Sequence, residues 1–257
     1  MSWRSHGTST NDSLIDALEK NNVIASRDVV GKAMRKVDRK WYAESADANE
    51  AYRDHPLQIG SNATISAPHM HAMCLELSKE YVVVNDDDDD DDDASGGYGN
   101  GRVLDVGSGS GYLVACFAEM MMQQNFSSSS SSSSSKVVGI EHIQSLVDQS
   151  IENLKQDDKE EMVQSGLITI TKGDGRLGYE AFAPYALIHV GAAAPEVPEA
   201  LLSQLAAPGR LIIPVGKEDE SQSLMVIDKN EKGELKYKDE MGVVYVPLTD
   251  EKHQLER

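Results

Sequence analysis

The sequence has no long apolar run: nothing approaches the roughly 18 consecutive apolar residues that suggest a membrane-crossing helix. Its first residues, Met1, Ser2, Trp3, Arg4, Ser5 and His6, lack the apolar centre of a secretion signal. A cytoplasmic protein without a membrane partner is expected. Cysteine is scarce: Cys74 and Cys116 are too few for a disulfide framework and sit in no metal-ligand spacing. Both read as buried thiols, and no metal is expected. Basic residues are outnumbered, with 24 Lys and Arg against 43 Asp and Glu, a formal charge of −19. No dense basic run is present to meet phosphates, which argues against nucleic acid as a partner.

Two stretches are unlike folded sequence. Eight of the acidic residues form one uninterrupted block at 86–93, followed by a Gly-rich stretch ending at Gly101, and nine serines fill 127–135. Both fall between a helix and a strand, where insertion is tolerated because loop-closure entropy grows only as about 1.5 RT times the logarithm of length. Both are expected to be disordered. The rest is long enough for one domain with one main core. It divides into an N-terminal helical and active-site segment (1–85), the Asp/Gly-rich insertion (86–101), a cofactor-binding core (102–215) interrupted by the serines, and C-terminal strands (216–257).

Leu14, Ile15 and Leu18 recur at helical spacing, as do Val29, Val30, Ala33, Met34 and Val37. The stretch 42–59 is polar and reads as loop. Next, 63–71 is a short β-favouring run that turns helical at Ser66-Ala67-Pro68, with Met70, Met73, Cys74, Leu77 and Tyr81 on one stripe. Ser66 is placed to cap that helix and Pro68 to sit in its first turn, where the missing N–H costs nothing. Strand signals follow at 103–106, 137–140, 167–171, 186–190 and 211–215, the last introduced by Gly209. Helical ones alternate with them at 112–122, 143–154 and 197–205. Runs at 224–227 and 243–246 look like closing strands joined by a charged turn at 230–233. Such alternation predicts an α/β fold: a three-layer, doubly wound, mostly parallel, Rossmann-like sheet with an N-terminal helical segment.

The most informative stretch is Val103-Leu104-Asp105-Val106-Gly107-Ser108-Gly109-Ser110-Gly111-Tyr112-Leu113, a strand feeding a glycine-rich turn that opens a helix. Alternate glycines let the backbone pass close to a ligand, and free N–H groups at the helix start favour a carboxylate or phosphate. Glu141 ends the next strand, where a carboxylate can accept from both ribose hydroxyls. It follows Gly111 by about 20 positions once the serine run is set aside, the separation expected of a nucleoside-binding βαβ unit. A dinucleotide loop would run Gly-x-Gly-x-x-Gly, whereas this one runs Gly-x-Gly-x-Gly after an Asp. Asp105 suits a ligand bearing an ammonium or sulfonium and would repel a pyrophosphate. A third strand leads to Gly173-Asp174-Gly175-Arg176, where Asp174 can accept from an adenine amino group. Asp105 with Gly107, Glu141 and Asp174 thus share one carboxyl edge of the sheet. S-adenosylmethionine fits that edge better than a dinucleotide does.

Five segments resemble the protein-L-isoaspartate (D-aspartate) O-methyltransferases. They are Ala63-Thr64-Ile65-Ser66-Ala67-Pro68-His69-Met70-His71, the glycine loop 104–111, Gly173-Asp174-Gly175-Arg176, Ile188-His189-Val190-Gly191-Ala192-Ala193-Ala194-Pro195 and Val246-Pro247-Leu248-Thr249-Asp250. The resemblance runs from about Trp3 to Thr249 outside the two low-complexity blocks. Its first and fourth segments are the specific ones; the glycine loop alone indicates only a class I methyltransferase. What it implies is methyl transfer from S-adenosyl-L-methionine to the free carboxyl of L-isoaspartyl or D-aspartyl residues in damaged peptides and proteins. Separately, nothing in the sequence suggests an obligate interface, and a monomer is expected. It also implies that Ser66 is the active-site serine, with Ala63, Thr64, Ile65 and His71 lining the same region. Gly107 and Gly109 would pass the methionine part of the cofactor, Glu141 and His142 the ribose, Asp174 and Gly175 the adenine, and Thr249 would close the site. One departure stands out: the family usually has an acidic residue after Tyr185, and this chain has Ala186.

Plainer roles compete for the same residues. Ser66 reads equally as a helix cap, His69 and His71 as packed or surface histidines, Asp174 as a turn residue and His189 as a core histidine. Runner-up functions are a class I methyltransferase for another carboxylate, a non-catalytic adenosyl-ligand-binding protein, and last an NAD-dependent dehydrogenase.

Overall fold

The computed structural model describes residues 8–26, 28–43, 49–83, 101–123, 135–218 and 220–256. The acidic block and all but the last serine of the serine run lie outside the described residues. Helices α1 (Asn11–Lys20), α2 (Val29–Lys36) and α3 (Pro68–Val82) lead the chain, with a two-stranded ladder of β1 (Leu57–Gln58) and β2 (Thr64–Ile65) just before α3. Thr10 starts α1 through a reciprocal capping box with Ser13.

Strands β3 (Arg102–Val106), β4 (Lys136–Glu141), β5 (Ile168–Lys172), β6 (Tyr185–Val190), β7 (Leu205–Val215), β8 (Gln222–Lys229) and β9 (Leu235–Val243) form a seven-stranded sheet in the order β5-β4-β3-β6-β7-β8-β9. The run from β5 to β7 is parallel; β8 and β9 add antiparallel pairs. Helices α4 (Tyr112–Met122), α5 (Gln144–Gln156), α6 (Glu160–Gln164) and α7 (Glu199–Gln204) lie in the crossovers, and α8 (Glu251–Glu256) ends the described chain. Because β3 pairs with both β4 and β6, strand order reverses there, which opens a crevice at the carboxyl edge.

Two cores sandwich the sheet, as the strand alternation requires. Val103, Leu187 and Ile212 pack with α1 to α5 on one face, and Leu104, Val106, Ile188 and Leu211 pack with Leu201 of α7 on the other. Asp105 therefore shares a face with Val103, and His189 with Leu187. Among the described residues no helix is long and apolar enough to cross a membrane, and no cluster of His, Cys, Asp and Glu could hold a metal ion.

The structure departs from the sequence expectations at several points. Residues 243–246 are not a strand of their own: Val243 ends β9, and the chain then leaves the sheet to bridge Ala193 at Pro247. The first five residues of β9 are all exposed, so this half of the edge strand has no buried face and no alternation to read. Gly209 lies inside β7, paired with Lys229, instead of introducing it. Ser66 does not cap α3: the helix starts at Pro68, Ala67 holds the cap position, and no side chain caps it. The fully buried face of α3 runs through His71, Ala72, Cys74, Leu75, Ser78 and Tyr81, while Met70, Met73 and Leu77 are only half-buried. Ala186 is wholly buried near the amino end of β6. The ligand edge is at the other end of that strand, roughly 3.3 Å per residue away, so the missing carboxylate is a packing matter.

Candidate active site

The carboxyl edge is built from three strand ends. After β3 the turn 107–111 doubles back with Gly107, Gly109 and Gly111 all at positive φ, backbone that side-chain-bearing residues rarely adopt. Gly111 takes the cap position of α4 in a left-handed conformation. Asp105, behind the turn, is 2% exposed and accepts a hydrogen bond from His189 Nδ1 at 2.7 Å across the register pair joining β3 and β6. Burial alone would lower the His189 pKa. Its hydrogen bonds to Asp105 and Cys74 and the Asp105 charge instead push it up to about 10, so the ring is an imidazolium. His189 is a core histidine, but one whose charge is matched by the carboxylate expected to face a cationic ligand.

Glu141, at the end of β4, is also buried. Its Oε1 accepts from the His142 and Ile143 N–H groups at 2.8 and 3.1 Å, and its Oε2 from Gly109 N–H at 3.2 Å. A carboxylate has about four lone-pair sites, so this clamp on the glycine turn leaves room for one further donor where two ribose hydroxyls were expected. Asp174, after β5, accepts from Arg176 N–H and takes a bidentate grip from the Arg176 guanidinium, at 2.9 Å from Nε and 2.7 Å from Nη2. That hydrogen bonding, against a smaller effect of burial, holds its pKa below the usual carboxylate range. Both of its oxygens are already engaged in the turn. Gly175 is glycine for packing reasons: a Cβ there would collide with Val106.

From the other side, β2 and the start of α3 bring Thr64, Ile65, Ser66 and His71 against the glycine turn. Together with Asp105, Gly107, Gly109, His189, Gly191 and Tyr245 they line a narrow chamber of about 40 Å³. An open groove of about 980 Å³ runs outward past His69, Met70 and 241–247. Thr64, Ser66, Gly191 and Tyr245 line both, so they form the doorway between chamber and groove. The Tyr245 phenol and the Ser66 hydroxyl thus belong to the same doorway. Ala63 stays in the β1–β2 turn, its N–H donating to Gly60 O and its carbonyl accepting from Ile59 N–H. His142 and Thr249 do not line the chamber.

The C-terminal helix α8 straps the edge. Gln254 bonds His142 Nε2 at 2.7 Å through Oε1, donates from Nε2 to Ser61 O at 2.9 Å, and accepts at its carbonyl from Asn62 Nδ2. Sequence reasoning missed Gln254, Tyr245 and the buried Arg39, none of which sits in a glycine-rich or strand-end pattern. Tyr245 lies one residue before the segment 246–250 and was within reach of it.

The residues present fit an adenosyl ligand. A Cβ at Gly107 would meet open space, and the buried Ser108 Oγ beside it has no hydrogen-bond partner. A parallel sheet with its strand-order reversal at β3, an Asp-led glycine turn and a carboxylate ending the neighbouring strand define a class I S-adenosylmethionine-dependent methyltransferase. Comparison with known proteins narrows this. The family described as protein-L-isoaspartate(D-aspartate) O-methyltransferase matches residues 9–253. Protein-L-isoaspartate O-methyltransferase 1 of Arabidopsis thaliana is 42% identical over 98% of this chain and 97% of its own length. The Caenorhabditis elegans protein-L-isoaspartate O-methyltransferase is 43% identical over 100% of both. A Plasmodium falciparum structure, described as a protein-L-isoaspartate O-methyltransferase in complex with S-adenosyl-L-homocysteine, superimposes with a TM-score of 0.74. It is 32% identical, covering 94% of this chain and 99% of that one. The chain belongs to the protein-L-isoaspartate(D-aspartate) O-methyltransferase family.

Proposed function

We propose that this enzyme methylates the free carboxyl of L-isoaspartyl and D-aspartyl residues in damaged peptides and proteins, with Ser66 at the doorway as the residue that meets the substrate. The single observation that carries the reading is the shared wall: Ser66 borders both the chamber under the glycine turn and the open groove. S-adenosylmethionine supplies a methyl group activated on a sulfonium.

The residues proposed to hold it are Gly107 and Gly109 with Asp105 beneath the turn, Glu141 and His142 at the ribose, Asp174 and Gly175 at the adenine, and Ala63, Thr64, Ile65, His71 and Thr249 around them. The count of acceptors on Glu141 favours one ribose hydroxyl for that carboxylate. The groove takes an extended peptide, and its depth lets one side branch reach Ser66. An isoaspartyl carboxyl with a pKa near 4 is ionised at neutral pH, so no proton has to be removed before attack. The protein's task is alignment, with Ser66 Oγ donating to the carboxylate and Tyr245 sharing the doorway. His189 offsets the Asp105 charge, which lowers the cost of bringing a second carboxylate close. The ester leaves and cyclises without further catalysis to a succinimide, whose hydrolysis returns some normal aspartate. The working unit is a cytoplasmic monomer of one domain.

Labelled S-adenosylmethionine offered with an isoaspartyl peptide and its aspartyl twin tests this. Base-labile label is expected on the first only. Label on both, or on neither with the cofactor bound, would refute it.

A further inference from the structure

Behind the chamber lies a group that the methyl-transfer reading leaves unused. Arg39, in a short turn of 3-10 helix (Arg39–Trp41) after α2, is 0% exposed. Its Nε donates to Ala51 O at 3.0 Å, its Nη1 lies 3.3 Å from His71 Nδ1, and its Nη2 has no hydrogen-bond partner. The His71 ring stacks at 4.9 Å on Tyr112, and the guanidinium carbon sits 5.7 Å from that same ring. Neither partner can turn away without disrupting this packing.

The chemistry of the pair is asymmetric. A guanidinium only donates, so the nitrogen it meets must carry a lone pair. Nδ1 of His71 is therefore bare, a neutral ring keeps its proton on Nε2, and His71 lines the chamber. We propose that Arg39 is a positioning residue that fixes His71 as the neutral Nε2–H tautomer, so that the ring presents an uncharged donor to the ligand in the chamber. Burial, reinforced by the Arg39 charge, holds the His71 pKa well below its ordinary value. Burial also draws Arg39 down, to about 10, which leaves it charged at neutral pH. An uncharged donor suits this place, because it can bond an acceptor of the cofactor without repelling a sulfonium nearby.

The inference rests on the reading that His71 meets the cofactor, and the test separates the two. Long-range ¹H–¹⁵N spectra of the full chain should show the His71 proton on Nε2 at pH 7.5. In Arg39→Met that assignment should be lost, and the Kd for S-adenosylhomocysteine by calorimetry should rise about tenfold, the loss of one modest hydrogen bond. Arg39→Lys keeps a cationic donor and should restore the tautomer and most of the affinity. A wild-type proton on Nδ1 would overturn the tautomer assignment outright, whatever the variants do and even if Arg39→Met fails to fold. An Arg39-dependent tautomer with unchanged affinity would instead remove His71 from the cofactor site, and the positioning role with it.

Discussion

Asp105 and His189 face each other across adjacent parallel strands, and the 2.7 Å bond between them buries a carboxylate and an imidazolium directly beneath the glycine turn. The pair turns an acidic motif into a nearly neutral floor. It also makes stability depend on pH. His189 moves from an ordinary 6.5 to about 10 on folding. A raised folded-state value stabilises fully below the unfolded value and less as pH rises through the folded one. Urea midpoints of the wild type should therefore fall between about pH 6.5 and 10, and the gap to His189→Asn should narrow over the same window. A gap that stays constant with pH would show that the ring is neutral.

Ser66 leaves α3 uncapped, so its replacement should spare the helix. Ser66→Ala is expected to lower kcat/KM for an isoaspartyl peptide by about ten- to hundredfold, the range for a hydrogen bond to a charged group. The melting temperature should move by no more than about a degree, since surface changes away from caps and cores are near neutral. Steady-state kinetics with differential scanning calorimetry separates the effects; a fall in stability alone would return Ser66 to a structural role.

Asp174 already holds Arg176, which makes its part in the cofactor site a matter of sharing. Asp174→Ala should raise the S-adenosylhomocysteine Kd several-fold, within about 1 to 2 kcal/mol, and change kcat little. An unaltered Kd would withdraw the adenine assignment.

The strap made by Gln254 joins the β1–β2 turn to the end of β4. Gln254→Ala removes the two side-chain bonds, to His142 and Ser61, while the backbone carbonyl that accepts from Asn62 stays; it should raise KM for cofactor and peptide together, with a small change in melting temperature. Equal KM values in the variant would show that α8 only decorates the edge.

Both low-complexity runs enter the sheet at the amino ends of parallel strands: 86–101 leads into β3 and the serines into β4. Chemistry sits at the other edge. Deleting 86–93 and 127–135 should leave methyl transfer to short peptides within about twofold, because loop length costs little. A large loss would mean that these runs serve the site.

The parallel half of the fold was legible because its central strands β3, β4 and β6 are buried on both faces and its turns are marked by glycine. Helix 112–122 and the strand before it carry their own apolar signals, and Asp105 with the three glycines marks the turn between them. Of the antiparallel edge, β8 and the charged turn after it were legible from 224–227 and 230–233, but β9 was not, since Lys236, Lys238 and Asp239 face solvent and carry no periodic apolar signal. In the site, strand-end acids could be named from spacing. Their partners could not: the links from Asp105 to His189 and from His71 to Arg39 cross many residues of chain, and only the fold makes them neighbours.

A doorway this narrow between a small chamber and a wide groove has a consequence for selectivity. On the proposed reading only the carboxyl-bearing side branch enters, while the flanking residues of the extended peptide stay outside in the wide groove. Under that proposal selection would fall on the lesion more than on the surrounding sequence, and on how freely a damaged segment can be threaded in.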